Sequence, residues 1–192
     1  YPEYFYPEFK DFYPNPIISE KIELFNEKRT IGENENYICQ LIRKDSIDEF
    51  IVYINKNNIS VHSFINNSIF ETNPLLIESN VSLIEYAAFF GSIQIFQYLK
   101  FNYAELNPFL WICVIHSRNP DLFHILEENH VENDSDMKHK CLKEAIKCHH
   151  NEFVKYIQDN FFDNFNTNDS LIDNIKYRNY INLPDEICEF SQ

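Results

Sequence analysis

The chain has 192 residues, 44% of them hydrophobic and 16% aromatic, a formal net charge of −14 and a pI of about 4.8. That length suits one domain, or a short array of repeats sharing one core, and the negative field repels phosphate backbones and anionic lipid, so neither nucleic acid nor membrane is an expected partner. With only Gly32 and Gly91 in the sequence, the clustered glycines of a dinucleotide fingerprint or a phosphate-binding loop are excluded.

Residues 1–18, YPEYFYPEFKDFYPNPII, combine aromatics with Pro2, Pro7, Pro14 and Pro16. Each Pro disfavours helix at the residue before it, so an extended segment is expected, its rings anchored across the first helices or against an upstream domain. A first residue that is Tyr rather than Met leaves room for such an upstream part. From Ser19, SEKIELFNEKR reads as a short amphipathic helix that serves as a cap, completing a first region of residues 1–36. Over 37–182 the apolar residues keep a helical period in pieces of about 8 to 10 residues, with no alternating strand; 183–192 is a C-terminal tail.

Three segments within that region align without a gap: Leu83 to Leu99 (LIEYAAFFGSIQIFQYL), Leu110 to Leu126 (LWICVIHSRNPDLFHIL) and Cys141 to Ile157 (CLKEAIKCHHNEFVKYI). Ala87, Val114 and Ala145 share one column, Ala88, Ile115 and Ile146 the next, and Phe96, Phe123 and Val154 another. Small or aliphatic side chains at such columns allow helices to approach closely. Polar breaks recur at Gly91-Ser92, Arg118-Asn119 and His149-His150, and Pro120 suits the first turn of a helix. The spacing is roughly 27 to 31 residues, inside the window that marks helical repeats. Tyr37 to Ile54 (YICQLIRKDSIDEFIVYI) is a weaker early copy, and a last one begins near Leu171 (LIDNIKY). Between Asn55 and Val81 the interval is longer, with Asn-rich turns and Pro74, and is expected to hold an inserted loop and a short helix.

The segment Ser82 to Asn107, SLIEYAAFFGSIQIFQYLKFNYAELN, resembles the ankyrin repeat. Ser82 takes the Thr place of its T-P-L-H-x-A-A-x-x-G pattern, Ile84 the Leu, Ala87 and Ala88 the paired alanines and Gly91 the helix-ending Gly, while Asn102 to Asn107 take the exit turn. Over Phe70 to Gln158 the wording is similar to an ankyrin-type family of unknown function expanded in parasitic protists. The resemblance implies an all-α fold: a divergent ankyrin-type solenoid of paired antiparallel helices, with about four to five repeats. The other copies lack the Gly and most of the helix-start signature, and their shortened period leaves hairpin fingers short or absent. No catalytic residues come with the resemblance.

Five cysteines, Cys39, Cys113, Cys141, Cys148 and Cys188, form an odd set without C-x-x-C spacing, which points to reduced thiols and a cytoplasmic compartment, with the nucleus as alternative. His139, Cys141, Cys148, His149 and His150 gather possible metal ligands in HKCLKEAIKCHHN, but Cys141 and Cys148 lie two helical turns, about 10 Å, apart, too far to share a tetrahedral ion. No metal and no cofactor are therefore expected. Cys113 with His116, or Cys148 with His149, would be nucleophile pairs on paper, without the glycine-bearing turn or third orienting residue such chemistry needs. Trp111 reads as core filling. In ankyrin-type stacks the two positions before the helix-ending Gly face the concave side; by that resemblance Phe89, Phe90, His116, Ser117, Lys147 and Cys148 form a partner-binding ridge. The expected function is a non-catalytic protein-protein interaction scaffold; the alternative is a regulatory or substrate-recruiting module of a larger enzyme.

Overall fold

The computed structural model describes residues 2–5, 8, 22–162 and 168–182. Most of the aromatic segment over 1–18, the start of the cap helix at Ser19, the 183–192 tail and Cys188 lie outside the described residues. The described residues are all-helical: α1 (Ile22–Ile31), α2 (Tyr37–Arg43), α3 (Ile47–Lys56), α4 (Pro74–Glu78), α5 (Leu83–Phe90), α6 (Ile93–Phe101), α7 (Phe109–Ser117), α8 (Pro120–Glu128), α9 (Ser135–Lys147), α10 (Asn151–Phe161) and α11 (Asn168–Lys176). Among them there is no strand; Phe64 and Ser82 meet in an isolated bridge. Among the described residues no helix is long and apolar enough to cross a membrane. Pro2–Phe5 is a 3-10 turn, not extended chain, because the fixed φ of Pro2 also suits the first position of a helical turn. It does engage the cap helix, as Tyr4 exchanges hydrogen bonds with Arg29, whose guanidinium also meets Glu8 at 2.7 Å.

The chain divides into two compact units. In the first (Tyr1–Ala87 and Gln94–Ala104), α2 packs on α3 around Cys39, Leu41, Ile42, Phe50 and Ile54. The edge of the Phe25 ring meets Phe70 at 5.1 Å, tying α1 to the 55–81 loop. That loop carries the expected short helix α4, started by Asn73, which accepts from the Leu75 N–H, with Pro74 at its first turn. At α5, Ser82 and Glu85 form a capping box: the Ser82 N–H donates to the Glu85 carboxylate at 2.6 Å, and the Glu85 N–H donates to the Ser82 hydroxyl at 3.4 Å.

In the second unit (Ala88–Ile93 and Glu105–Gln192), α9 packs against α7, α10 and α11, and α8 against α7. Leu110, Val114, Ile115, Leu122, Leu126, Ala145, Ile146, Val154 and Ile157 make its core. Trp111 is buried against Phe123 at 4.9 Å and donates its indole N–H to the Glu132 carbonyl, the core-filling role its sequence context indicated.

Two turn geometries recur along the chain. Asp45, Gly91, Arg118, His149 and Arg178 follow α2, α5, α7, α9 and α11 with φ of 49°, 73°, 54°, 56° and 57°. Asn58, Tyr103 and His130 follow α3, α6 and α8 with φ of 51°, 64° and 51°. After most of these left-handed residues the next N–H donates five residues back: Ser46 to Leu41, Ile59 to Ile54, Ala104 to Leu99, Val131 to Leu126, His150 to Ala145 and Asn179 to Asn174. In each of these six the left-handed residue's own N–H also donates three residues back, completing the pair of hydrogen bonds of a Schellman ending, which satisfies carbonyls a helix terminus leaves open. Just ahead of the left-handed residue, Asn57, Asn102 and Asn129 each donate from the side-chain amide to the carbonyl four residues back, and Asn160 does the same near the end of α10. Side chains after the first turn class also bond outward: His150 donates to Ile115 O at 2.7 Å and Asn179 to Ile146 O at 3.1 Å, while Asn119 donates to Gly91 O at 3.3 Å.

Candidate functional site

The six ridge residues lie at the C-terminal ends of α5, α7 and α9, where the left-handed turns at Gly91, Arg118 and His149 stop each helix. Phe89 and Phe90 meet edge-to-face at 5.0 Å, and the His116 imidazole stacks on Phe89 at 4.6 Å with the planes 23° apart. His116 Nε2 lies 2.8 Å from Glu144 Oε1, and Lys147 Nζ donates to the same oxygen at 2.9 Å. Cys148 Sγ is 3.8 Å from both ring nitrogens of His116 and donates to Glu144 Oε1 at 3.8 Å. Ser117 instead turns to its own helix end, donating to Val114 O and accepting from the Asn119 N–H. The residues chosen from sequence thus adjoin one another, but not as an exposed pair of rings: Phe89 is 9% exposed beneath the imidazole, Phe90 is half-buried, and of the six only Lys147 is exposed.

Glu144, which joins them, was not among the residues singled out from sequence. Its column holds Tyr86 and Cys113 in the other segments, and a carboxylate in an otherwise core column was the available signal. The same relation occurs in the first unit, where Arg43, in the column of His116, reaches the Tyr86 hydroxyl at 2.7 Å and Glu33 at 2.8 Å. His116–Glu144 is the counterpart of Arg43–Tyr86: the last turn of one helix donates to a buried acceptor on a later one.

Burial pushes the Glu144 carboxyl up, but the bonds from His116 and Lys147 outweigh it and hold the group at about 2. Burial likewise pulls Lys147 down and is overcome by the bond and charge of Glu144, which leave its ammonium above the usual value. For Cys148, burial and the Glu144 charge act in one direction and push the thiol up to about 11. A thiol so disfavoured from ionising is not an activated nucleophile. The structure brings His116, not His149, to Cys148; His149 is exposed at the turn. The run HKCLKEAIKCHHN does not converge either. His139 bonds Ser135 O and meets Phe162 edge-on, Cys141 is buried with its thiol pushed up to about 12 by burial, and His150 is committed to Ile115 O. Cys39, Cys113, Cys141 and Cys148 are all free cysteines.

Comparison with known protein families, with curated proteins and with solved structures finds no match.

Proposed function

We propose that this chain is a divergent ankyrin-type helical repeat scaffold, non-catalytic, that binds a partner protein along the strip formed by Phe89, Phe90, His116, Ser117, Lys147 and Cys148. The observation that carries the reading is the adjacency of these residues, taken from three separate segments, through ring stacking and the shared Glu144 carboxylate. The recurring left-handed turns and their Asn partners support equivalent helix pairs, which bury their apolar faces only by packing on neighbours. The raised Cys148 thiol weighs against nucleophilic catalysis at the strip, and four free cysteines suit a reducing compartment such as the cytoplasm.

Half-covered rings beside an exposed cation provide apolar area and a charged rim, the mixture that concentrates binding energy in a few positions. A crosslinking pull-down with the full chain, read by mass spectrometry, tests this. A protein enriched by wild type should be lost with Phe90→Ala combined with Lys147→Glu, at unchanged circular dichroism. Retention of every enriched protein by that variant removes the strip as the binding surface.

A further inference from the structure

His116, Glu144 and Cys148 place an imidazole nitrogen, a carboxylate oxygen and a sulfur all within 4.8 Å of one another. From their arrangement we infer that the chain carries a zinc site, with His116 Nε2, Glu144 Oε1 and Cys148 Sγ as ligands. Bonds of about 2.0 to 2.3 Å at tetrahedral angles separate ligand atoms by about 3.3 to 3.6 Å. Sulfur stands 3.8 Å from both His116 Nε2 and Glu144 Oε1, within a few tenths of an ångström of that edge, but also 3.8 Å from Nδ1, so the imidazole has to turn to aim Nε2 between sulfur and carboxylate. The nitrogen-oxygen edge, 2.8 Å in the hydrogen-bonded state, has to open by about half an ångström, a side-chain adjustment at the tip of a Glu.

The donor chemistry fits zinc over harder ions. Thiolate and imidazole are soft and borderline ligands that magnesium and calcium avoid. Coordination replaces the Cys148 S–H bond with an S–Zn bond, and the proton leaves to solvent, so affinity rises with pH. Thiolate and carboxylate together neutralise the dication, and the −14 net charge favours cation approach. Three protein ligands leave the fourth position to water. Lys147 opposes the ion, but its exposed ammonium is free to swing from Oε1 into solvent. At the counterpart Arg43–Tyr86, the residue four places after Tyr86, where Cys148 follows Glu144, is Phe90, so the Cys-His-Glu set belongs to this pair of helices and not to the turn in general.

This site does not depend on partner docking: a chain that captures no partner still binds the metal, and a chain without metal can still bind a partner. Cobalt(II), titrated into the full chain, is the probe. A tetrahedral visible spectrum with a thiolate-to-cobalt charge-transfer band should saturate at one ion per chain and be displaced by zinc. Cys148→Ser should abolish the band, His116→Asn should weaken binding by roughly tenfold or more, and Lys147→Gln should tighten it, each at wild-type circular dichroism. Cys188→Ser and the exposed-site variant His139→Asn with His149→Asn should bind as wild type. No cobalt binding, a charge-transfer band that survives Cys148→Ser, or one lost with Cys188→Ser, overturns the proposal.

Discussion

Glu144 is the residue whose chemistry departs most from its place in the sequence. In KEAIK it looks like one member of a solvated, alternating-charge helix face, yet it is buried and shared by His116 and Lys147. A buried carboxylate is invisible to sequence reading unless its column is compared with Tyr86 and Cys113, because the partner that keeps it charged lies 28 residues upstream. Its folded value of about 2 is below the ordinary 4.5, so the stabilisation is fully present above about pH 4.5 and is lost as pH falls towards 2. That shift corresponds to on the order of 3 kcal/mol. Glu144→Gln should therefore lower the thermal midpoint at pH 7 and flatten its decline between pH 4.5 and 2; an unchanged acid limb would show that the carboxylate is not held by these partners. The thiols follow similar logic. With Cys39 and Cys141 pushed up to about 12 by burial and Cys148 to about 11, alkylation of the native chain at pH 8, mapped by peptide, should leave all three far slower than after unfolding.

The elements were legible where apolar spacing alone decides them, as in α5 to α10, which overlap the three aligned segments, although α9 begins at Ser135, six residues ahead of its segment. Their endings were only partly legible. Gly91 announces a left-handed turn, whereas Asp45, His149 and Arg178 adopt the same conformation without that signal, since the Schellman bonds around them outweigh the steric cost, and Arg118 adopts it where the following Asn119 N–H donates to the Ser117 hydroxyl. The Asn that precedes the second class of turn marked that helix ending in plain view, obscured by the chain's general abundance of Asn. Opposite substitutions at equivalent turns test this. Gly91→Ala should destabilise by about 1 to 2 kcal/mol, because φ is 73° and the added Cβ would meet Ser117 Cβ at 3.3 Å. Arg118→Gly should stabilise by roughly 0.5 to 1 kcal/mol through relief of the same strain. Chemical denaturation reads both, and equal signs would mean the two turns are not equivalent. Loss of the Asp134 cap, which accepts from the Met137 N–H at 2.8 Å, should cost about 1 kcal/mol in Asp134→Ala.

At the scale of the whole molecule, the all-helical character of the described residues follows from the absence of alternating patterns and from short polar breaks, while the site's composition depended on contacts between segments that no single stretch displays. Ala87 is fully buried, so Ala87→Asp, which places a carboxylate in the core, should cost at least about 3 kcal/mol and lower the thermal midpoint. The scaffold proposed above requires one helix-pair unit, with its two endings, to be used again along the chain. Residue-resolved amide hydrogen exchange tests it most directly. Slow exchange is expected at Ser46, Ile59, Ala104, Val131, His150 and Asn179, the amides that close each helix onto the carbonyl five residues back. Rapid exchange at these six while the helix interiors stay protected, or unbroken helical protection through Arg118 and His149, would contradict it.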